Sequence, residues 1–170
     1  MIETERRFLL KFIPLQIREL NSIEIEDYMI LTGEPHPHIR MRRKGETYEL
    51  TKKYPKQETK EMEMIEETIT LNKIEFDVFK KLPHTDQTKK RYTFQENNYT
   101  VEVDLWEDQL QGLGIVEFEF KTLEEARTFT PTSYCLTEVT QQEWLAGGML
   151  SGKSYIDIED DLEKLNYHKL

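Results

Sequence analysis

At 170 residues the chain suits one domain with a proper hydrophobic core. Its formal net charge of −10 disfavours nucleic acid and anionic membranes as partners, although Arg and Lys gather between positions 40 and 60 and at Lys89-Lys90-Arg91. A single cysteine, Cys135, excludes an intrachain disulfide and a thiolate metal cluster; with no apolar run near the roughly 18–20 residues that cross a bilayer and a charged N-terminus unlike a signal peptide, a cytoplasmic protein is expected.

Residues 2–10 read as a strand, and Pro14 interrupts before a short helical turn over 15–20. β-Branched and aromatic content makes 23–30 a strand, and Gly33, Pro35 and Pro37 make 32–37 a loop. Residues 38–43 and 46–53 form a hairpin about Lys44-Gly45, the chain turns at 54–56, and 60–71 has strand-like content. The spacing of Ile74, Val78 and Leu82 predicts a helix over 72–82 with that stripe in the core, Asn72 as N-cap and Pro83 as the stop. Strands at 88–94 and 99–106 flank Asn97-Asn98, a pair that tolerates positive φ. A strand at 115–120 precedes a helix at 123–129, N-capped by Thr122 with Glu124 and Glu125 in its first turn. Residues 141–150 read as helical, though they meet Gly147-Gly148, and 158–165 form a last acidic helix that Asp157 could cap. About eight strands with few helices point to an antiparallel barrel or sandwich with helices packed outside.

Five strands carry charge at alternate positions, which places the charges on one face. They are Glu3/Glu5/Arg7, Arg40/Arg42, Lys89/Arg91, Glu102/Asp104 and Glu117/Glu119. In the last two rows the opposite face is plainly apolar: Val101, Val103 and Leu105, then Val116, Phe118 and Phe120. Each row fits the wet face of a half-buried sheet. Each also fits an inside-out barrel with a charged lumen, where both signs must be present because like charges repel in a confined space. Bases there meet phosphate oxygens, and carboxylates hold a hard divalent cation. Spacing alone leaves both readings open.

The order of the rows adds to this. Glu3-Thr4-Glu5-Arg6-Arg7, Arg40-Met41-Arg42 and Leu50-Thr51-Lys52-Lys53 are followed by Lys89-Lys90-Arg91-Tyr92, Val101-Glu102-Val103-Asp104 and Glu117-Phe118-Glu119. In this order the chain resembles the CYTH domain, or triphosphate tunnel metalloenzyme, superfamily, from residue 2 to about residue 140. Arg7 stands where the family has lysine, which keeps the charge but changes its shape. The resemblance implies an α+β fold: an eight-stranded closed antiparallel β-barrel around an open tunnel, with helices outside. It implies one domain over 1–170, with a helical extension from about 141.

The resemblance also implies a metal-dependent triphosphatase acting on tripolyphosphate or another small triphosphate. Arg7, Arg40, Arg42, Lys53, Lys89 and Arg91 would cradle the phosphates. Glu3, Glu5, Glu117 and Glu119, with Asp104 and Glu63, would hold Mg2+ or Mn2+. On the strand of Glu63, a small register shift would put Glu61 or Glu66 in its place. Glu3, Glu5, Arg7, Glu117 and Glu119 form the catalytic set. No nucleic acid or membrane partner is expected, and the protein would be a monomer or homodimer. Thiamine triphosphatase and adenylyl cyclase activity are the alternatives within the superfamily, and a non-catalytic polyphosphate- or nucleotide-binding module is the alternative outside enzymes.

The remaining candidates read blandly. His36 and His38 flank a proline without further histidines near them, His84 and His168 read as surface residues, and Cys135 lacks an activating neighbour. Trp106 and Trp144 read as packing between barrel and helices. The acidic run 157–163 reads as a solvated helix face, and Gly152-Lys153-Ser154, without the spacing of a P-loop, as a turn.

Overall fold

Which face of each strand is apolar decides between barrel and sandwich. The computed structural model describes residues 2–34, 38–56 and 63–170. Its strands are β1 (Ile2–Leu10), β2 (Ile23–Ile30), β3 (Ile39–Lys44), β4 (Thr47–Pro55), β5 (Glu63–Leu71), β6 (His84–Glu96), β7 (Tyr99–Trp106), β8 (Gly114–Phe120) and β9 (Cys135–Glu138). Neighbours run β5-β4-β3-β2-β6-β7-β8-β1, and β1 returns to β5 through Ile2, Glu3 and Thr4. Eight antiparallel strands therefore close on themselves, which removes the exposed sheet edges. β9 pairs with the remainder of β1, at Phe8 and Leu10.

The wall is apolar outside and charged inside. Phe8, Val101, Val103, Val116 and Phe118 face outward and are buried beneath Ala126 of α2 (Leu123–Thr128) and Tyr134. The Phe118 and Phe129 rings lie 4.5 Å apart. Tyr28, Met41 and Leu71 are covered by Phe76 of α1 (Lys73–Phe79). A third cluster sits at one end of the barrel, where Leu9, Trp106 and Ile115 pack against Leu145, Leu150, Ile158 and Tyr167. Hydrogen bonds fasten the chain there, among them those from Arg7 Nη2 to the Leu145 carbonyl (2.9 Å) and from Gln87 Nε2 to the Gly147 carbonyl (3.1 Å). Residues 141–150 thus form a floor.

Several local expectations change. Asn72 does cap α1, accepting from the Glu75 amide while Glu75 returns a bond to the Asn72 amide. The stripe predicted for the core is nevertheless exposed: Ile74 by 78%, Val78 by 57% and Leu82 by 43%, against 3% for Phe76. α1 touches the curved wall along one narrow line, and the aromatic contacts of Phe76 with Tyr28 and Tyr48 fill it. Periodicity found the helix and chose the wrong face. Residues 141–150 form two single turns, Glu143–Leu145 and α3 (Gly147–Leu150), not one helix. Asp157 bonds Ser154 instead of capping α4 (Glu159–Lys164), which Ile158 begins. Residues 54 and 55 continue β4 instead of turning. Asn97 and Asn98 take φ of 50° and 70°, as a tight hairpin requires. Among the described residues no helix is long and apolar enough to cross a membrane.

Candidate active site

Antiparallel pairing carries one side-chain parity round the whole barrel. Glu3 opposes Met64 of β5, Glu5 opposes Glu119, and Arg7 opposes Glu117 of β8. Glu117 opposes Glu102, Arg91 opposes Asp104, and Asp27 of β2 opposes Arg42 of β3. Residues that oppose one another share a face, so these groups point inward together. They bound a cavity of about 1390 Å3 whose wall includes Glu3, Glu5, Arg7, Arg40, Arg42, Lys53, Lys89, Arg91, Glu117 and Glu119.

Most of the bases are already paired. Lys53 Nζ lies 2.9 Å from Glu3 and 3.0 Å from Glu5. Burial works against its charge, but Glu5 and Glu3 outweigh it and hold the ammonium above its ordinary pKa. Arg7 Nε donates to Glu117 at 2.9 Å. Arg91 spans Asp104 (2.6 Å) and Glu117 (3.0 Å) and also bonds Glu102, while Lys89 bonds Asp104. Arg42 meets Asp27 through two parallel bonds of 2.7 and 2.8 Å.

Two groups stand apart. Among the described residues Arg40 Nε is buried without a hydrogen-bond partner, and its Nη2 reaches Glu66 alone, at 3.5 Å. Burial and then the neighbouring Arg42 charge push Arg40 below the ordinary guanidinium range. Glu119 forms no ion pair among the described residues. Burial, then repulsion from Glu102 and Glu3, pushes its carboxyl above the usual range, and Glu102 is raised chiefly by burial.

The donor set suits a hard cation, because Glu3, Glu5, Glu117 and Glu119 offer oxygen alone. Among the described residues, however, no group of three or more Asp, Glu, His or Cys side chains is arranged to hold a metal ion. The ion pairs explain this: Glu3 and Glu5 are turned onto Lys53, and Glu117 onto Arg7 and Arg91.

Some sequence assignments move. Glu63 opposes Thr4, whose parity is outward, bonds Lys56 at 3.1 Å and does not border the cavity. Glu66 opposes Lys53 and borders the cavity with the inward parity of β5, while Glu67 reaches its rim from the other parity; Glu61, like His36, lies outside the described residues. Asp104 is 0% exposed, with its oxygens committed to Lys89 and Arg91, so it lies beneath the wall rather than on it. Trp106 packs between the barrel and the C-terminal segment as expected; in addition its ring lies 5.0 Å from Lys89 Nζ, its Nε1 donates to Gln87, and it borders the cavity. Asp27 was not anticipated, because its strand shows Glu24 and Glu26 as the obvious charged row, and these face outward to Arg43. Only the cross-strand register opposite Arg42 would have exposed it.

These ion pairs make stability depend on acidity. Burial favours the neutral carboxyls of Asp27, Asp104 and Glu117, but Arg42 for the first and Arg91 for the other two outweigh it, and all three titrate below the ordinary range. Their stabilisation is complete above the unfolded carboxylate pKa, near about 4, and is lost as pH falls through the lowered folded values. Glu102 and Glu119, shifted upward, act in the opposite sense over a higher range. Thermal melts are expected to be nearly level from about pH 7 to 5 and to fall steeply below about pH 4. A melting temperature still level at pH 3 would contradict this ionic wall.

No protein-family model matches the sequence, and no curated protein does. Solved structures do match. The chain is similar to the inorganic triphosphatase NE1496, at 22% identity and a TM-score of 0.63, over 88% of this chain and 93% of that one. It is similar to a candidate adenylate cyclase, bh2851 of Bacillus halodurans, at 16% identity and a TM-score of 0.57, over 99% and 91%. A third is the candidate adenylyl cyclase HpAC1 of Hippeastrum, whose structure is reported with a dominant triphosphatase activity, at 14% identity and 0.50, over 98% and 100%. At these identities the likeness is one of fold.

Proposed function

We propose that this chain, whose fold is that of the CYTH or triphosphate tunnel proteins, is a metal-dependent triphosphatase acting on inorganic tripolyphosphate or another small triphosphate. The observation that carries the reading is Arg40, whose buried Nε has no hydrogen-bond partner among the described residues, on the wall of a cavity bordered by seven further bases. A buried donor without a partner is costly, and a phosphate oxygen is the acceptor that the surrounding bases would recruit.

In this reading Arg7, Arg40, Arg42, Lys53, Lys89 and Arg91 bind the phosphate chain, and Glu3, Glu5, Glu117 and Glu119 hold Mg2+ or Mn2+, with Glu66 in the place first given to Glu63. When bound, such a cation offsets charge on phosphate oxygens and favours in-line attack by water. Breaking a terminal P–O–P link with one water yields orthophosphate and pyrophosphate. The chain's own contribution is donors fixed on strands, which need little reorganisation as charge shifts to the leaving oxygen. The floor closes one end, so substrate and products share the other.

Inorganic tripolyphosphate is favoured over a nucleotide. Among the described residues bordering the cavity, the large aromatic side chain is Trp106, and its ring is taken by Lys89 and its N–H by Gln87. A stacking platform for a base is therefore not among them. A second reading has support from the unassembled carboxylates: a module that binds polyphosphate without turnover.

The test is orthophosphate release from tripolyphosphate, ATP and thiamine triphosphate, each with Mg2+, Mn2+ or a chelator. Cation-dependent release, greatest for tripolyphosphate, is expected. Release that survives the Glu117→Gln/Glu119→Gln double variant would remove the metal assignment. Tight cation-independent binding with no release from any substrate would favour the binding module.

A further inference from the structure

Counter-ions of the bases fall into two kinds. Lys53 and Arg7 are held by glutamates on the cavity wall, the same groups assigned to the metal. Arg42 is held by an aspartate that is only 1% exposed and spends both oxygens on it. A glutamate on the wall can be drawn away when ligands bind; Asp27, on β2 between β3 and β6, borders the cavity but is almost wholly buried and stays where it is. Its partner pairs with it across adjacent strands, so the backbone register itself sets the geometry. The bidentate pair occupies Nε and one face of Nη2, and the rest of the fork is left to the cavity that Arg42 borders.

We propose that Asp27 is a positioning residue for the triphosphate site: it fixes the plane of the Arg42 guanidinium so that the remaining donors meet a phosphate in one orientation. The inference rests on the triphosphatase reading and adds a residue that touches neither substrate nor metal. Arg40, on the same strand, has no such anchor and adapts to the ligand, whereas Arg42 gives the ligand a fixed reference. The other carboxylate acting on Arg42 is Asp104, and it supplies no substitute because its oxygens are spent on Lys89 and Arg91.

A double-mutant cycle tests this, since an effect exerted only through Arg42 must vanish when Arg42 is changed. Asp27→Asn is expected to lower kcat/KM for tripolyphosphate about 10- to 100-fold, the size expected for a misplaced binding group. In an Arg42→Gln background the same substitution should change it by less than about threefold. Asp27→Glu, which keeps the charge and moves it by one methylene, should recover part of the loss, and it takes over the cycle if Asp27→Asn does not fold. Losses of equal size in both backgrounds would overturn the proposal, because a general structural defect behaves that way. The Arg42 Nε–H resonance supplies a readout independent of turnover. Slow proton exchange in the wild-type protein that becomes fast in Asp27→Asn or Asp27→Glu is expected; an unchanged rate overturns the positioning role. If the wild-type chain releases no phosphate from any triphosphate, the functional reading fails by itself, and this resonance still decides whether Asp27 positions Arg42.

Discussion

Replacing Arg40 with alanine should lower kcat/KM for tripolyphosphate about 100- to 1,000-fold, the loss typical of one preorganised donor, while the melting temperature stays level or rises. The two halves of that result have one cause. Arg40 is half-buried, its buried Nε has no acceptor and its one ion-pair contact is 3.5 Å long among the described residues, and burial and the Arg42 charge beside it disfavour it further. Removing it relieves the folded state of a desolvated charge that the ligand-free wall does not satisfy. Binding sites are where such a residue persists, since it is stabilised only when the substrate is present. Arg42 supplies the control. Arg42→Ala strands Asp27 as an uncompensated buried carboxylate, and breaking a buried pair from one side destabilises by about 3–5 kcal/mol. Kinetics and thermal melts on the two variants separate these cases. If Arg40→Ala melts as far below wild type as Arg42→Ala does, Arg40 is a structural ion and the anion site is misplaced.

That contrast also shows what the amino-acid order could and could not convey. Alternation is a local property, and it exposed the inward charges of β1, β3, β6, β7 and β8, most plainly on β7 and β8, where the row sits opposite an apolar one. It failed on β2, where the inward positions Ile25, Asp27 and Met29 are mostly apolar and the outward Glu24 and Glu26 imitate a lumenal row. It failed on β5 because the inward parity of Glu66 is set by pairing with Lys53 and of Met64 by pairing with Glu3, both long-range registers. Asp104 has the right parity and the wrong depth: pattern places a side chain on a face, and only packing reveals that Lys89 and Arg91 cover it. Burial misled in the other direction for α1, whose apolar stripe faces solvent because a helix on a convex wall needs one line of contact. The floor was the least legible part, since two single turns held by the carbonyls of Leu145 and Gly147 leave no periodic signature.

Glu119→Gln should weaken Mn2+ binding by at least about 10- to 100-fold, the range seen when even groups supporting a metal ligand are lost, with no fall in melting temperature. Glu119 is the acid counterpart of Arg40. It has no ion pair among the described residues, and its carboxyl is raised by burial and by the facing charges of Glu102 and Glu3. Neutralising it removes repulsion and breaks no salt bridge, so any loss of metal affinity cannot be blamed on the fold. Glu117→Gln differs, because it also frees Arg7 and Arg91. The ion pairs then add a coupling. A cation drawing on Glu3, Glu5 and Glu117 competes with Lys53, Arg7 and Arg91 for their oxygens and makes those bases more available to an anion; cation and tripolyphosphate should therefore strengthen each other's binding, reciprocally and by roughly 5- to 150-fold. Calorimetry of tripolyphosphate with Mg2+ present and with Mg2+ chelated measures that factor, and Glu119→Gln should reduce it. Equal tripolyphosphate affinity with and without the cation would mean that the carboxylates never leave the bases, and that their role is to hold the barrel's interior together.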